Sequence, residues 1–141
     1  MQEHQGCELC RPFNKGWTDL HVCDLPSSSV LLSKDQRFRG WTIVVANEHV
    51  DDLFELPSVK RHALDADVAC VAAALRAVVR PDRMNYAIFG NVTPHLHWNL
   101  IPRTLDDGRW GSAPWPHEPR PGAPGEIAAL RAALRGLLRR A

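Results

Sequence analysis

The sequence predicts an α+β domain: roughly five antiparallel strands, a long covering helix, and a second helix towards the C-terminal end. Three observations carry this. Residues 94–103, Pro-His-Leu-His-Trp-Asn-Leu-Ile-Pro-Arg, alternate polar and apolar side chains with the period of a half-buried strand. Residues 41–47 hold the β-branched run Thr42, Ile43, Val44, Val45. Residues 58–80 carry a broad apolar face at helical spacing and stop at Pro81.

Taken in order, Leu20 to Cys23 alternates weakly and Ser29 to Ser33 encloses Val30-Leu31-Leu32, giving the first two strands. Asp35 to Gly40 is a polar connection into the strand at 41–47. Asp52 to Leu56 reads as one helical turn. The long helix follows from Ser58 to Arg80, with Val59, Ala63, Val68, Val71, Ala72, Leu75, Val78 and Val79 as its apolar face. Met84 to Gly90 is the next strand, and Gly90-Asn91 turns the chain back at hairpin length into 94–103. Thr104 to Pro124, rich in Gly and Pro, is an irregular segment in which Trp110 and Trp115 either tack it to the body or line a pocket. A helix over Glu126 to Arg140 closes the chain. Arg131, Arg135 and Arg139 form one edge of it, which reads as a solvated face.

A chain of 141 residues is expected to form one domain, 1–141, with a real core. A net charge of +1 gives no reason to expect a nucleic acid or an anionic membrane as partner. Met1 to Gly6 is polar, with no signal-peptide pattern, and no apolar run approaches membrane length, so the expected location is cytoplasmic. In that compartment four cysteines are not a disulfide framework. Cys7-Glu8-Leu9-Cys10 is a C-x-x-C knuckle, half of a zinc site or a redox pair. The following Arg11-Pro12-Phe13 does not open a helix as a redox pair would, and zinc needs two more ligands, for which His21, His49 and His95 are available. Cys23 and Cys70 read as small core residues.

As a strand, 94–103 sends His95, His97, Asn99 and Ile101 to one face and Leu96, Trp98 and Leu100 to the other, with Pro94 and Pro102 bracketing the run. Three nitrogen-bearing side chains then stand about 6.6 Å apart in a row. A lone histidine in a strand is usually a satisfied structural residue; two at i and i+2, with Asn99 next, make a candidate site. Two chemistries fit it. His95 and His97 can chelate a catalytic metal, or one imidazole can attack phosphorus while its neighbours position the phosphoryl oxygens.

The run His95-Leu96-His97-Trp98-Asn99-Leu100-Ile101-Pro102-Arg103 resembles the signature of the histidine-triad (HIT) superfamily, His-φ-His-φ-His-φ-φ, where φ is apolar. Phe89 to Pro94, Arg39 to Val45 and Glu48 to Leu53 extend the resemblance over about residues 5–118, with a helical extension at 125–141. It implies a HIT-like fold and a nucleotide hydrolase or nucleotidyl transferase. The substrate would be a phosphoanhydride, phosphoramidate or related nucleotide. It also implies His97 as nucleophile, His95 and Asn99 as its catalytic neighbours, and Asn91 reaching the substrate phosphate or ribose. Asn91 is equally read as a turn residue tolerating a left-handed backbone. Family members with an N-terminal C-x-x-C complete a structural zinc site with the equivalents of His49 and His95, giving Cys7, Cys10, His49 and His95 here. They commonly pair through their sheets, which implies a homodimer.

The chain departs from the pattern twice. Asn99 stands at the third histidine; its NH₂ can donate but cannot shuttle protons at neutral pH. Relatives with Gln there transfer the nucleotidyl group to phosphate-type acceptors, which tilts the expectation towards transfer or towards leaving groups that need little acid help. Trp41 stands where many family members have another histidine, and reads either as a stacking surface for substrate or as a core residue. The alternative functions are a metal-dependent enzyme using His95 and His97, and a non-catalytic or repurposed nucleotide-binding protein.

Overall fold

The structure is a computed structural model and describes residues 6–139; the expectations for residues 1–5, Arg140 and Ala141 lie outside them. Its elements are a short helix α1 (Lys15–Thr18), β1 (His21–Asp24), β2 (Ser28–Leu32), β3 (Thr42–Ala46), a 3-10 turn (Leu53–Glu55), α2 (Ser58–Val79), β4 (Arg83–Ala87), β5 (His97–Arg103) and α3 (Pro124–Leu138). The five strands form one antiparallel sheet in the order β1-β2-β3-β5-β4, the expected α+β architecture. No helix among the described residues is long and apolar enough to cross a membrane.

The alternation in β5 decides what each face does. Trp98 and Leu100 join Val30, Leu32 and Val44 under Leu64, Val68, Val71 and Leu75 of α2 and Leu130 and Leu134 of α3. Burying each such side chain contributes about 1.5–3 kcal/mol. The opposite face carries Ile43, Val45, His97, Asn99 and Ile101, and instead of helices it meets two irregular segments. Leu9 of the cysteine knuckle packs on Leu31, Ile43 and Val45, while Trp115 packs beside Phe38, Trp41 and Ile101.

Several local expectations are corrected. β5 begins at His97, because His95 is drawn aside into the cysteine knuckle, so the loop from β4 spans 88–96 and exceeds hairpin length. Pro102 lies inside β5 rather than ending it; there the pairing with β3 has stopped at Thr42–Leu100 and only β4 runs alongside. In α2, Val59 is 78% exposed and Leu64 takes its place in the core. Gly90, not Asn91, adopts the left-handed backbone of the loop, with φ 69°.

Of the three arginines expected on a solvated edge, Arg139 is exposed, but Arg131 and Arg135 are not free in solvent. Arg131 Nε and Arg135 Nη2 donate to the His21 carbonyl at 3.0 Å each, and Arg135 Nε donates to the Val22 carbonyl at 2.6 Å. These guanidiniums satisfy backbone acceptors of the outer strand β1 and so cover one edge of the sheet. The other edge strand is β4, and Tyr86 on it is 56% exposed.

Candidate active site and metal centre

His97 is half-buried at the start of β5, opposite Val45. Its Nδ1 lies 2.6 Å from the His95 carbonyl oxygen, a pure acceptor, so Nδ1 carries the proton and donates. Nε2 is thereby left with its lone pair, the tautomer a nucleophile requires. The group that orients the ring is the backbone of the preceding motif histidine.

His95 itself does not join a row of imidazoles. It is 2% exposed, and both ring nitrogens are engaged away from His97. Nε2 donates to the Ala46 carbonyl at 2.7 Å, and Nδ1 lies 3.5 Å from both Cys7 Sγ and Cys10 Sγ. His49 Nδ1 stands 3.2 Å from Cys10 Sγ. Ligand atoms of Cys7, Cys10, His49 and His95 all fall within 4.8 Å of one another. A tetrahedral ion with bonds of about 2.3 Å to sulfur and 2.0–2.1 Å to nitrogen has S···N edges of about 3.5 Å, so this donor set has the dimensions of a metal centre. The outer contacts agree: the Ala46 carbonyl fixes the His95 tautomer with Nδ1 facing the thiols, and Asp51 Oδ1 lies 3.6 Å from His49 Nε2. The set can hold a metal. A catalytic ion bridging His95 and His97 does not fit, since both ring nitrogens of His95 are committed elsewhere.

Asn99 is 7% exposed and pairs with Ile43 and Ala87 in the middle of the sheet. Its Oδ1 accepts a hydrogen bond from Trp41 Nε1 at 3.1 Å. Trp41 is 6% exposed, so it offers no open stacking surface; it is a core residue in contact with the triad position. Gly40, at φ 90°, turns the chain into it, and a Cβ there would meet Val79 Cγ2 at 2.6 Å. Buried Gln36 holds the turn, donating to the Ser33 and Trp41 carbonyls and accepting from Gly40 N–H. Asn91 is exposed in the 88–96 loop.

On the far side, Trp115 tacks the irregular segment to the body as one of its two expected roles, and His117 joins it unexpectedly. Trp115 meets Trp41 edge-on at 5.3 Å between ring centroids, and His117 meets it at 5.6 Å. His117 Nε2 bonds to Asp35 Oδ2 at 2.5 Å. Burial pushes the Asp35 carboxyl up, but the bonds from His117 and the Arg120 and Arg37 amides outweigh it and hold it below its ordinary value. Across the motif's end, Arg103 binds Asp107 with two nitrogens and also reaches Asn85 and the Ser112 and Arg109 carbonyls. That pins the start of the C-terminal segment.

A family model for the HIT domain matches residues 16–105. The chain belongs to the HIT family. Among solved structures, a histidine triad protein from Bradyrhizobium japonicum is 26% identical, with a TM-score of 0.80 over 89% of this chain and 96% of that one. One from Marinobacter aquaeolei VT8 is 24% identical, TM-score 0.79, over 90% and 95%. A Zn-bound histidine triad family protein from Mycobacterium smegmatis is 23% identical, TM-score 0.65, over 86% and 88%. No curated protein sequence matches the chain. Membership in the HIT family supports a nucleotide-related hydrolase or transferase kind of function.

Proposed function

We propose that this HIT protein cleaves a nucleotide phosphoanhydride, phosphoramidate or related bond through a covalent nucleotidyl intermediate on His97. The observation that carries the reading is the His97 Nδ1–H···O=C His95 bond, which leaves Nε2 as a lone pair on a fixed ring. Nε2 attacks the α-phosphorus; the Nε2–P bond forms while the bond to the leaving group breaks and that group departs with the electron pair. The positive charge gained by the ring is shared with the His95 carbonyl through Nδ1–H. Water or a phosphate-type acceptor then attacks phosphorus, the Nε2–P electron pair returns to the ring, and the acceptor's proton passes to solvent. Asn99 donates to a phosphoryl oxygen but supplies no proton, so the site favours aryl or pyrophosphate-type leaving groups over amines and alcohols. With a net charge of +1, the chain exerts little long-range pull on a polyanion, and its substrate is a small nucleotide.

The test is incubation with dinucleoside polyphosphates, nucleoside phosphoramidates and nucleotide sugars, with and without phosphate, then acid-free quenching and mass spectrometry. A nucleotidyl mass increment on His97 supports the reading. Turnover without an adduct in rapid-quench time courses, undiminished in His97→Ala, overturns it; tight binding without turnover indicates a binding protein.

The metal at Cys7, Cys10, His49 and His95 is, in this proposal, one structural zinc per chain. Its thiolate ligands must stay reduced, which suits a cytoplasmic setting. The β4 edge of the sheet is proposed as a homodimer contact. A groove of about 590 Å³ beside it, lined by Ala69, Ala72, Ala73, Arg76, Met84 and Tyr86 among others, offers small side chains for close approach.

A further inference from the structure

We infer that Trp41 is a positioning residue, which sets the amide of Asn99 so that its NH₂ group faces the reacting phosphate. This rests on the proposed chemistry at His97 and assigns a job to both departures from the family pattern at once, because the two departing residues touch. The indole N–H is a donor and nothing else. Lying 3.1 Å from the Asn99 side chain, it can be satisfied only by Oδ1, so the amide has one allowed orientation. In that orientation Nδ2 lies on the side of the amide away from Trp41. Asn99 shares its sheet face with His97, two residues away in β5, so the outward group of the pair is a donor. A freely flipping Asn would present a carbonyl oxygen to the phosphate half the time, and that contact is repulsive. Trp41 cannot rotate out of the arrangement: Trp115 and His117 press on its ring edge-on, and the bond to Asp35 holds His117. The N–H···O bond is buried, with Trp41 6% and Asn99 7% exposed, so water does not compete for it.

Trp41→Phe keeps a ring in the cluster and removes only the donor. We expect it to lower kcat about tenfold to a hundredfold with KM changed less than threefold, because a phosphoryl contact made in the transition state is lost. In an Asn99→Ala background the same change should have less than a twofold effect. An equal loss in both backgrounds, or none in the first, overturns the inference. A second readout needs no turnover. In nitrogen–proton spectra, the Trp41 indole proton should exchange slowly with water. The Asn99 NH₂ pair should shift on adding AMP or inorganic phosphate, and that shift should vanish in Trp41→Phe. If the wild type transfers no nucleotidyl group yet shows this pattern, the catalytic reading fails and the positioning role stands. A fast-exchanging indole proton with an unshifted Asn99 pair removes the role whatever the activity.

Discussion

The two ends of the site-bearing face make an instructive pair. At the His97 end, Cys7, Cys10, His49 and His95 gather into a compact donor set, and His95 passes order on to His97 through its carbonyl. At the Ile101 end, the polar groups expected of the family are replaced by an indole and an amide wedged under Trp115 and His117. One end keeps the family's parts, and the other keeps the location while changing the chemistry. In the proposed mechanism, nucleophilic attack and leaving-group protonation are therefore separable: the histidine that would make the bond is retained, and the histidine that would lend a proton is absent.

The largest effect expected breaks the retained end. His97→Ala should reduce turnover on the order of 10⁴-fold or more, with the fold intact, because the strand's packing runs through Trp98 and Leu100 on the opposite face. Steady-state kinetics and a thermal melt check both halves. An active variant would dissolve the comparison.

Next comes the metal set, where Cys7→Ser should lower stability by several kcal/mol, since metal binding free energy is folding free energy. Protein prepared without chelator should carry about one zinc per chain by elemental analysis, and chelation should reproduce the loss. Cys70→Ser, outside the set, is the control. A fully folded, metal-free wild type would show that the donor set is an ordinary cluster of thiols and imidazoles.

The far end has its own anchor in Arg103 and Asp107, whose side chains are 3% and 6% exposed. Arg103→Met leaves the Asp107 carboxylate buried without its partner and should cost about 3–5 kcal/mol. The pH dependence carries the sign. The bond from Arg103, opposed by burial and helped by the Arg109 amide, holds the Asp107 carboxyl below its ordinary value. Its contribution is therefore fully present above the ordinary carboxylate pKa of about 3.9 and is lost as pH falls through the lower folded value. Melts from pH 7 to 3 should fall steeply at the acid end in the wild type and less steeply in Arg103→Met. Parallel acid limbs would refute the assignment.

How much of this was legible in the sequence follows the same division. The long helix, the strand at 41–47, the alternation of Trp98 and Leu100 against His97 and Asn99, and the Cys7–Cys10 half of the metal set could be read because each rests on local period or motif spacing, whereas the choice of His49 and His95 over His21 came only with the family resemblance. The position of His95 could not: strand alternation puts it beside His97, but the pull of the cysteine knuckle takes it out of the strand. Nor could the roles of Arg131 and Arg135, since a helix edge that reads as solvated finds backbone carbonyls about a hundred residues earlier. His117 gave no signal at all. It sits in a Pro-rich stretch and meets Asp35 across 82 positions, a pairing that no periodicity encodes.

The smallest expected effect sharpens the comparison most. Restoring the family residue with Asn99→His alone should raise the rate on poor leaving groups less than tenfold. Trp41 Nε1–H, which now donates to Asn99 Oδ1, would donate to one ring nitrogen of the new imidazole, leaving the other as a neutral N–H. To act as an acid the ring must be protonated, which would set N–H against N–H in a buried site, a costly arrangement. The new histidine would thus be held as a donor that cannot shuttle protons, much like the Asn it replaced. Removing that constraint with Trp41→Phe in the same chain should release the ring and recover a further ten- to hundredfold on amine and alcohol leaving groups, part of the 10²–10⁴ that a general acid typically supplies. Rates on aryl leaving groups should move little in either variant. If Asn99→His alone recovers the whole gain, Trp41 does not govern the position, and the far end differs from its relatives by one residue rather than by a coupled pair.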